Sequence, residues 1–184
     1  MGGSMTRTQQ GMSLIEVMIA TFFLTISLLA VAGSMGAGIS ATYTTQEQLI
    51  AKQKAQEALE SVVMARNTQQ VGFSQIRNVA DGGVIVAGFQ PIENMGVDGI
   101  PNTSDDAGPV ETLTYPGPDG KLGTADDVTV PLTNYKRQIT ITTLTLPADT
   151  TIDPDIVRID VDVQYVVRGV TKTVRVSSYV SRFS

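Results

Sequence analysis

An α+β fold, with one long N-terminal helix laid against an antiparallel β-sheet, is what this 184-residue sequence predicts, on three observations. Residues 12–39 are almost wholly apolar, and residues 40–67 continue in helix-forming residues with an apolar stripe. Within residues 136–183, Val157 to Tyr165 alternate apolar and polar positions at the period of a strand. Neither the stripe nor the strands can bury their apolar faces alone, so the two are expected to form one head, residues 40–184.

Composition narrows the function before any motif is read. The formal charge of -5 and a pI near 4.6 argue against nucleic acid, which needs a basic face. The chain has no cysteine and no histidine. That removes disulfides, thiol catalysis, the commonest general base and the commonest transition-metal ligand, and leaves carboxylate chemistry and hard cations. No nucleophile motif, phosphate loop or dinucleotide fingerprint is present, and acidic turns offer no apolar pocket to raise a carboxylate's pKa. The chain reads as no enzyme.

The N-terminal element has two parts. Residues 1–11, MGGSMTRTQQG, are polar with Arg7 as the only charge, and Met5 offers a second start. Residues 12–39 then run MSLIEVMIATFFLTISLLAVAGSMGAGI with one charged side chain, Glu16. A helix of about 20 apolar residues spans a bilayer core, so this run suffices. Arg7 on its N-terminal flank places that end in the cytoplasm and everything downstream outside.

Glu16 is the residue that asks for an explanation. A carboxylate inside a membrane helix costs a few kcal/mol, so it needs a partner or a purpose. The string Gly11-Met12-Ser13-Leu14-Ile15-Glu16-Val17 resembles the processing motif of type IV prepilins and type II secretion pseudopilins. The resemblance implies a leader, residues 1–11, that a prepilin peptidase removes after Gly11, and methylation of Met12 as the new first residue. It implies that Glu16 pairs with the Met12 amino group of a neighbouring subunit, which supplies the countercharge a buried carboxylate requires. The family commonly has phenylalanine where Met12 stands, and the variant here is closer to minor than to major pilins. The same resemblance implies a pilin fold, an inner-membrane precursor spanning once with its N-terminus inside, and an extracellular filament built with other pilin subunits.

Two plainer readings compete. Ala30-Val31-Ala32 before Gly33 fits a secretory signal-peptide cleavage site, and the whole run fits a signal anchor that never polymerises. Both leave Glu16 without a role, and the apolar run continues past Gly33 into helix-compatible sequence.

Downstream, the helix is expected from about Ser13 to Arg66. Tyr43, Ile50, Ala51, Ala55, Ala58, Leu59 and Val62 recur at helical spacing, and no proline occurs before Pro91. Gly33, Gly36 and Gly38 mark either close helix packing or a flexing point. Residues 71–78 close the helix into a loop, and a short strand is expected over Val84–Phe89.

The region 93–127 holds eight acidic residues against Lys121 alone, a net charge of -7. A pattern occurs in it twice, 21 residues apart: Asp98 to Asp106 and Asp119 to Asp127 both read D-G-x-x-[NG]-T-x-D-D. Strand-favouring residues come after each copy, at Val110–Tyr115 and Val128–Leu132. Three aspartates, a threonine and a glycine turn per copy suit Ca2+, which takes six to eight oxygens. The candidate ligands are Asp98, Asp105 and Asp106 in the first copy and Asp119, Asp126 and Asp127 in the second. The EF-hand spacing is absent, and the plainer reading is a pair of solvated turns. The copies resemble the acidic Asp-Gly repeats of secreted calcium-binding proteins, and some pilins and pseudopilins bind calcium in this part of the head.

The C-terminal third reads as strands. Ile139, Ile141 and Leu144 stand among threonines, and Val157, Ile159, Val161, Val163 and Tyr165 alternate with Arg158, Asp160, Asp162 and Gln164. Arg168-Gly169 is a hairpin loop before Val174, Val176 and Val180, with Pro147 and Pro154 bracketing the preceding connection. Three or four antiparallel strands are expected, covering the helix from Tyr43 to Val62. The function so implied is structural: a pilin or pseudopilin subunit, the alternative being an anchored or secreted calcium-binding domain that does not polymerise.

Overall fold

The structure is a computed structural model that describes residues 13–145 and 152–182. Its chain divides into two units, Met1–Thr44 and Thr45–Ser184. One helix, α1 (Leu14–Asn67), runs through the boundary. Six strands succeed it: β1 (Gln90–Pro91), β2 (Thr112–Tyr115), β3 (Val128–Pro131), β4 (Tyr135–Thr145), β5 (Ile152–Val167) and β6 (Val170–Ser181). The α+β architecture is as the sequence predicts.

In the first unit every residue from Ser13 to Ile39 is exposed. Four hydroxyls there are satisfied within the helix. Thr21, Thr25, Ser27 and Ser34 each donate to the carbonyl four residues back, at 2.7–3.0 Å. Backbone acceptors that take a second bond in this way let hydroxyl residues sit in an apolar helix at little cost.

In the second unit α1 packs on a sheet of order β1-β4-β5-β6, all antiparallel. The buried apolar positions of the helix are Ala51, Ala55, Ala58, Val62 and Ala65, a four-three repeat that keeps one stripe against the sheet. Four of the five are alanine, so the backbone of α1 lies close to the strands. Opposite stand Ile139 on β4 and Val157, Ile159, Val161 and Val163 on β5, each without measurable exposure. The other face of β5 is roofed by ion pairs. Arg175 on β6 clamps Asp162 with two bonds of 2.7 Å, and Asp160 accepts from Arg158 and Ser177.

Three local expectations need correction. Tyr43 lies outside the sheet-covered stripe, 62 % exposed, and the burial begins only at Ala51. The strand expected over Val84–Phe89 is instead a single parallel bridge, Asn78 to Ile85, with pairing resuming at Gln90. Left-handed Gly82 and Gly88 (φ 80° and 88°) bend the chain on either side of that bridge. Pro154 lies inside β5, where a register shift between Thr143 and Leu144 frees Pro154 to Ile156 from pairing with β4. A proline lacks the donor a ladder needs, and an unpaired stretch is where a strand tolerates it.

The turn before the bridge has a purpose. Gly83 sits where a Cβ would lie 2.0 Å from the carbonyl oxygen of Arg77, so only glycine fits. That tight turn aims Asn78 at the outer edge of β4. Its Nδ2 donates to the Ile139 carbonyl and its Oδ1 accepts from the Ile141 amide, both at 3.0 Å. One side chain thus stands in for a strand along part of that edge.

Candidate functional site

The two candidate regions are the apolar segment of α1 and the pair of acidic loops. Gly11 and Met12 lie outside the described residues. Glu16 lies in the first turn of α1, on the segment long and apolar enough to cross a membrane. Its carboxylate has no hydrogen bond or ion pair among the described residues, whereas the hydroxyl side chains nearby are bonded to the helix itself. A negative charge near a helix N-terminus is favoured by the macrodipole, yet that term is worth less than about 1 kcal/mol and cannot offset a lipid environment.

The acidic loops share one conformation. In the first, the Ile100 amide donates to Asp98 Oδ1 (2.8 Å), the Asp98 amide to Asp105 Oδ2 (3.2 Å), and the Asn102 amide to Asp106 Oδ2 (2.6 Å). In the second, Lys121 donates to Asp119 (2.8 Å), Asp119 to Asp126 (3.3 Å) and Gly123 to Asp127 (2.6 Å). The threonine hydroxyl holds the centre, 2.6 Å from Asp105 Oδ1 in one loop and 2.6 Å from Asp126 Oδ1 in the other. Each residue of the pattern has a reason to be there. Gly99 and Gly120 are left-handed, as are Asn102 and Gly123, which is why that position takes Asn or Gly. The repeat also begins two residues earlier than its aspartate, because a Cβ at Gly96 or Gly117 would lie 2.2 or 2.4 Å from the Asp105 or Asp126 carboxylate.

These bonds set the acidities. The hydroxyl of Thr103 and the Asp98 amide hold Asp105 below the ordinary carboxylate range, and Thr124 with the Asp119 amide do the same for Asp126. Burial pushes Asp98 up, with the nearby Asp105 charge adding to it. All six candidate aspartates are therefore brought together as sequence reading grouped them, three to a loop. Most of their oxygens accept from backbone amides and threonine hydroxyls. Among the described residues no three carboxylates converge as a ready cradle for a metal ion.

The loops differ in surroundings. The first is docked, with Ile100, Pro101, Asn102 and Thr103 all buried, while the second is exposed throughout Asp119–Asp126. Docking is done by Arg137, 1 % exposed, whose Nε donates to Asn102 Oδ1 (2.8 Å) while Asn102 Nδ2 donates to the Arg137 carbonyl (3.0 Å). Burial pulls the Arg137 guanidinium down, and the charges of Glu111, Asp106 and Glu57 oppose that. Beside it, Lys54 bridges Glu111 at 2.5 Å and Glu57 at 2.8 Å. Burial disfavours the Lys54 ammonium, but its bonds to Glu111 and Glu57 prevail and hold it above its ordinary value. Sequence reading missed this cluster. A signal existed: Arg137 shares the inward parity of Ile139 and Ile141, and an arginine at a core position needs partners.

No family model, no curated protein and no solved structure matches this chain.

Proposed function

We propose that this chain is a structural subunit of a type IV pilus-like filament, assembled through its apolar helix after a leader ending at Gly11 is removed. The observation that carries the reading is Glu16, a lone carboxylate without a partner among the described residues, on an exposed apolar helix of membrane-spanning length. In lipid such a group is costly, and the amino group freed at Met12 of an adjacent copy supplies the charge that offsets it. Exposed apolar residues from Leu14 to Ile39 would then leave the bilayer to bury one another in a filament core. The precursor would sit in the inner membrane and meet a prepilin peptidase there.

Mass spectrometry of the mature N-terminus tests processing. A methylated Met12 supports the proposal, and a chain that starts at Gly33 or still carries its leader ends it. Glu16→Ala tests assembly separately. The variant should be processed normally and yet appear in filaments at a small fraction of the wild-type amount, and full incorporation would remove the pairing role.

The twin loops support a second proposal, Ca2+ binding. Each loop gathers three aspartates and a threonine hydroxyl on one tight turn, twice in the same form. Asp98, Asp105 and Asp106, or Asp119, Asp126 and Asp127, would hold a hard cation by carboxylate oxygens after giving up some amide bonds. Titration calorimetry on the detergent-solubilised chain should show heat at millimolar calcium. Absence of heat together with an unchanged melting temperature would exclude it.

A further inference from the structure

The sheet has two outer edges, and they are finished differently. On the β4 side, Gln90 and Pro91 pair with Arg137 and Lys136, Asn102 takes the Arg137 carbonyl, and Asn78 covers Ile139 and Ile141. On the β6 side no further strand is paired among the described residues. At the extreme end of that edge, the Ser181 carbonyl accepts from Arg66 Nη2. Val170–Ser181 is free of proline and glycine and pairs with β5 in unbroken register. An uncovered edge of this length is a template for an added strand.

A cleft of about 570 Å³ adjoins that edge, lined by Leu59, Glu60, Val63, Met64 and Asn67 of α1 and by Ser178 of β6. Of the helix residues that line it, Met64 is 65 % exposed. A strand added to β6 would cover Leu59, Val63 and Met64 with its inward side chains, as β5 covers the alanine stripe.

We propose that the occupant is a second copy of this chain, whose β2–β3 hairpin docks through β3 along the open edge of β6. β3 is exposed at all four residues and, among the described residues, unpaired on the side away from β2. Val128 and Val130 alternate onto one face of it, and both are exposed. The charges are complementary. Residues 168–182 contain Arg168, Lys172, Arg175 and Arg182 and no acid, whereas the segment bearing the hairpin loop is strongly acidic, with Asp126 and Asp127 just before β3. Arg175 is engaged by Asp162 and Arg182 by Asp155, so Arg168 and Lys172 supply the attraction at longer range. Donor and acceptor are different surfaces, so the contact is head-to-tail and repeats without closing unless the rotation makes a ring. The inference deepens the filament reading and rests on it for that open-ended geometry.

The chain has no cysteine, so single substitutions report contacts cleanly. Full-length Val130→Cys and Ser178→Cys proteins are mixed under mild oxidation, both in detergent and in filaments. The mixture should give cross-linked dimer at about tenfold the yield of either variant alone. Lys172→Glu on the Ser178→Cys copy should lower that yield, and Asp127→Lys on the other copy should restore it. A mixture no better than its parts, or cross-linking led by Ser178→Cys alone, overturns the proposal, the latter in favour of β6 pairing with β6. Filaments that form without the mixed disulfide sink this interface and spare the filament reading. A mixed disulfide from a chain that never polymerises does the reverse.

Discussion

Thr103 and Thr124 occupy equivalent positions and make the same short bond to a carboxylate, yet they stand in different surroundings. Thr103 is 7 % exposed in a loop held against β4, and Thr124 lies in open solvent. Thr103→Val keeps the shape and removes the donor, leaving the buried side of the loop one bond short, which costs about 1–3 kcal/mol. Thr124→Val should stay within about 0.5 kcal/mol of the parent in urea denaturation, because water replaces the lost bond. Both substitutions should nonetheless raise the titration midpoint of their aspartate, Asp105 or Asp126, toward the ordinary value, since the hydroxyl is the main cause of each depression. Carboxyl chemical shifts followed by NMR against pH would check this, and equal losses of stability in the two variants would contradict the difference in docking. The repeat itself was legible as a turn, and so in part was the docking. The two positions after the glycine hold Ile100-Pro101 in the buried loop and Lys121-Leu122 in the exposed one. What composition could not reveal is where the oxygens point. Three aspartates on a glycine turn look the same whether they converge on a cation or cap their own amides.

At the scale of elements, the distance between α1 and the sheet is set by alanine. Ala58 has no measurable exposure and faces a layer of branched side chains. Ala58→Leu must push the helix away or force strained rotamers, costing about 1–3 kcal/mol, while Gln53→Leu on the exposed side of the same helix should cost little. Thermal melts of the two variants compare them, and equal midpoints would mean the seam is looser than the structure has it. The helix and its stripe were legible because the apolar spacing is helical over many turns. The start of the covered stretch was not, because Tyr43 and Ile50 continue the same periodicity while lying outside the fully buried stripe, and periodicity does not say what covers it. Asn78 was illegible for another reason. It bonds to Ile141, 63 residues away, and nothing local to an asparagine in a loop announces a strand edge waiting for it.

Across the whole head, two of the titratable groups that tie α1 to the rest hold their protons more tightly than usual. Lys54 of α1 reaches Glu111 ahead of β2, and the Tyr135 hydroxyl on β4 donates to Glu47 of α1 while its ring stacks on Tyr165 at 6.1 Å. Burial and the Glu47 carboxylate push the Tyr135 hydroxyl well up, and Lys54 is raised despite its burial. A group whose folded pKa lies above its unfolded value adds stability that is whole below the unfolded value and fades as pH climbs toward the folded one. Lysine and tyrosine ordinarily titrate near about 10, so the head should keep its full stability at neutral pH and lose it steadily above about pH 10. Tyr135→Phe separates the two contributions, because the ring still stacks while the titrating hydroxyl is gone. That variant should lose about 1 kcal/mol at pH 7 for the missing bond and show a shallower decline at alkaline pH. Urea midpoints measured from pH 7 to 11 on both proteins decide the matter, and an alkaline slope that Tyr135→Phe leaves unchanged would show that the Glu47 contact does not fasten the helix to the sheet.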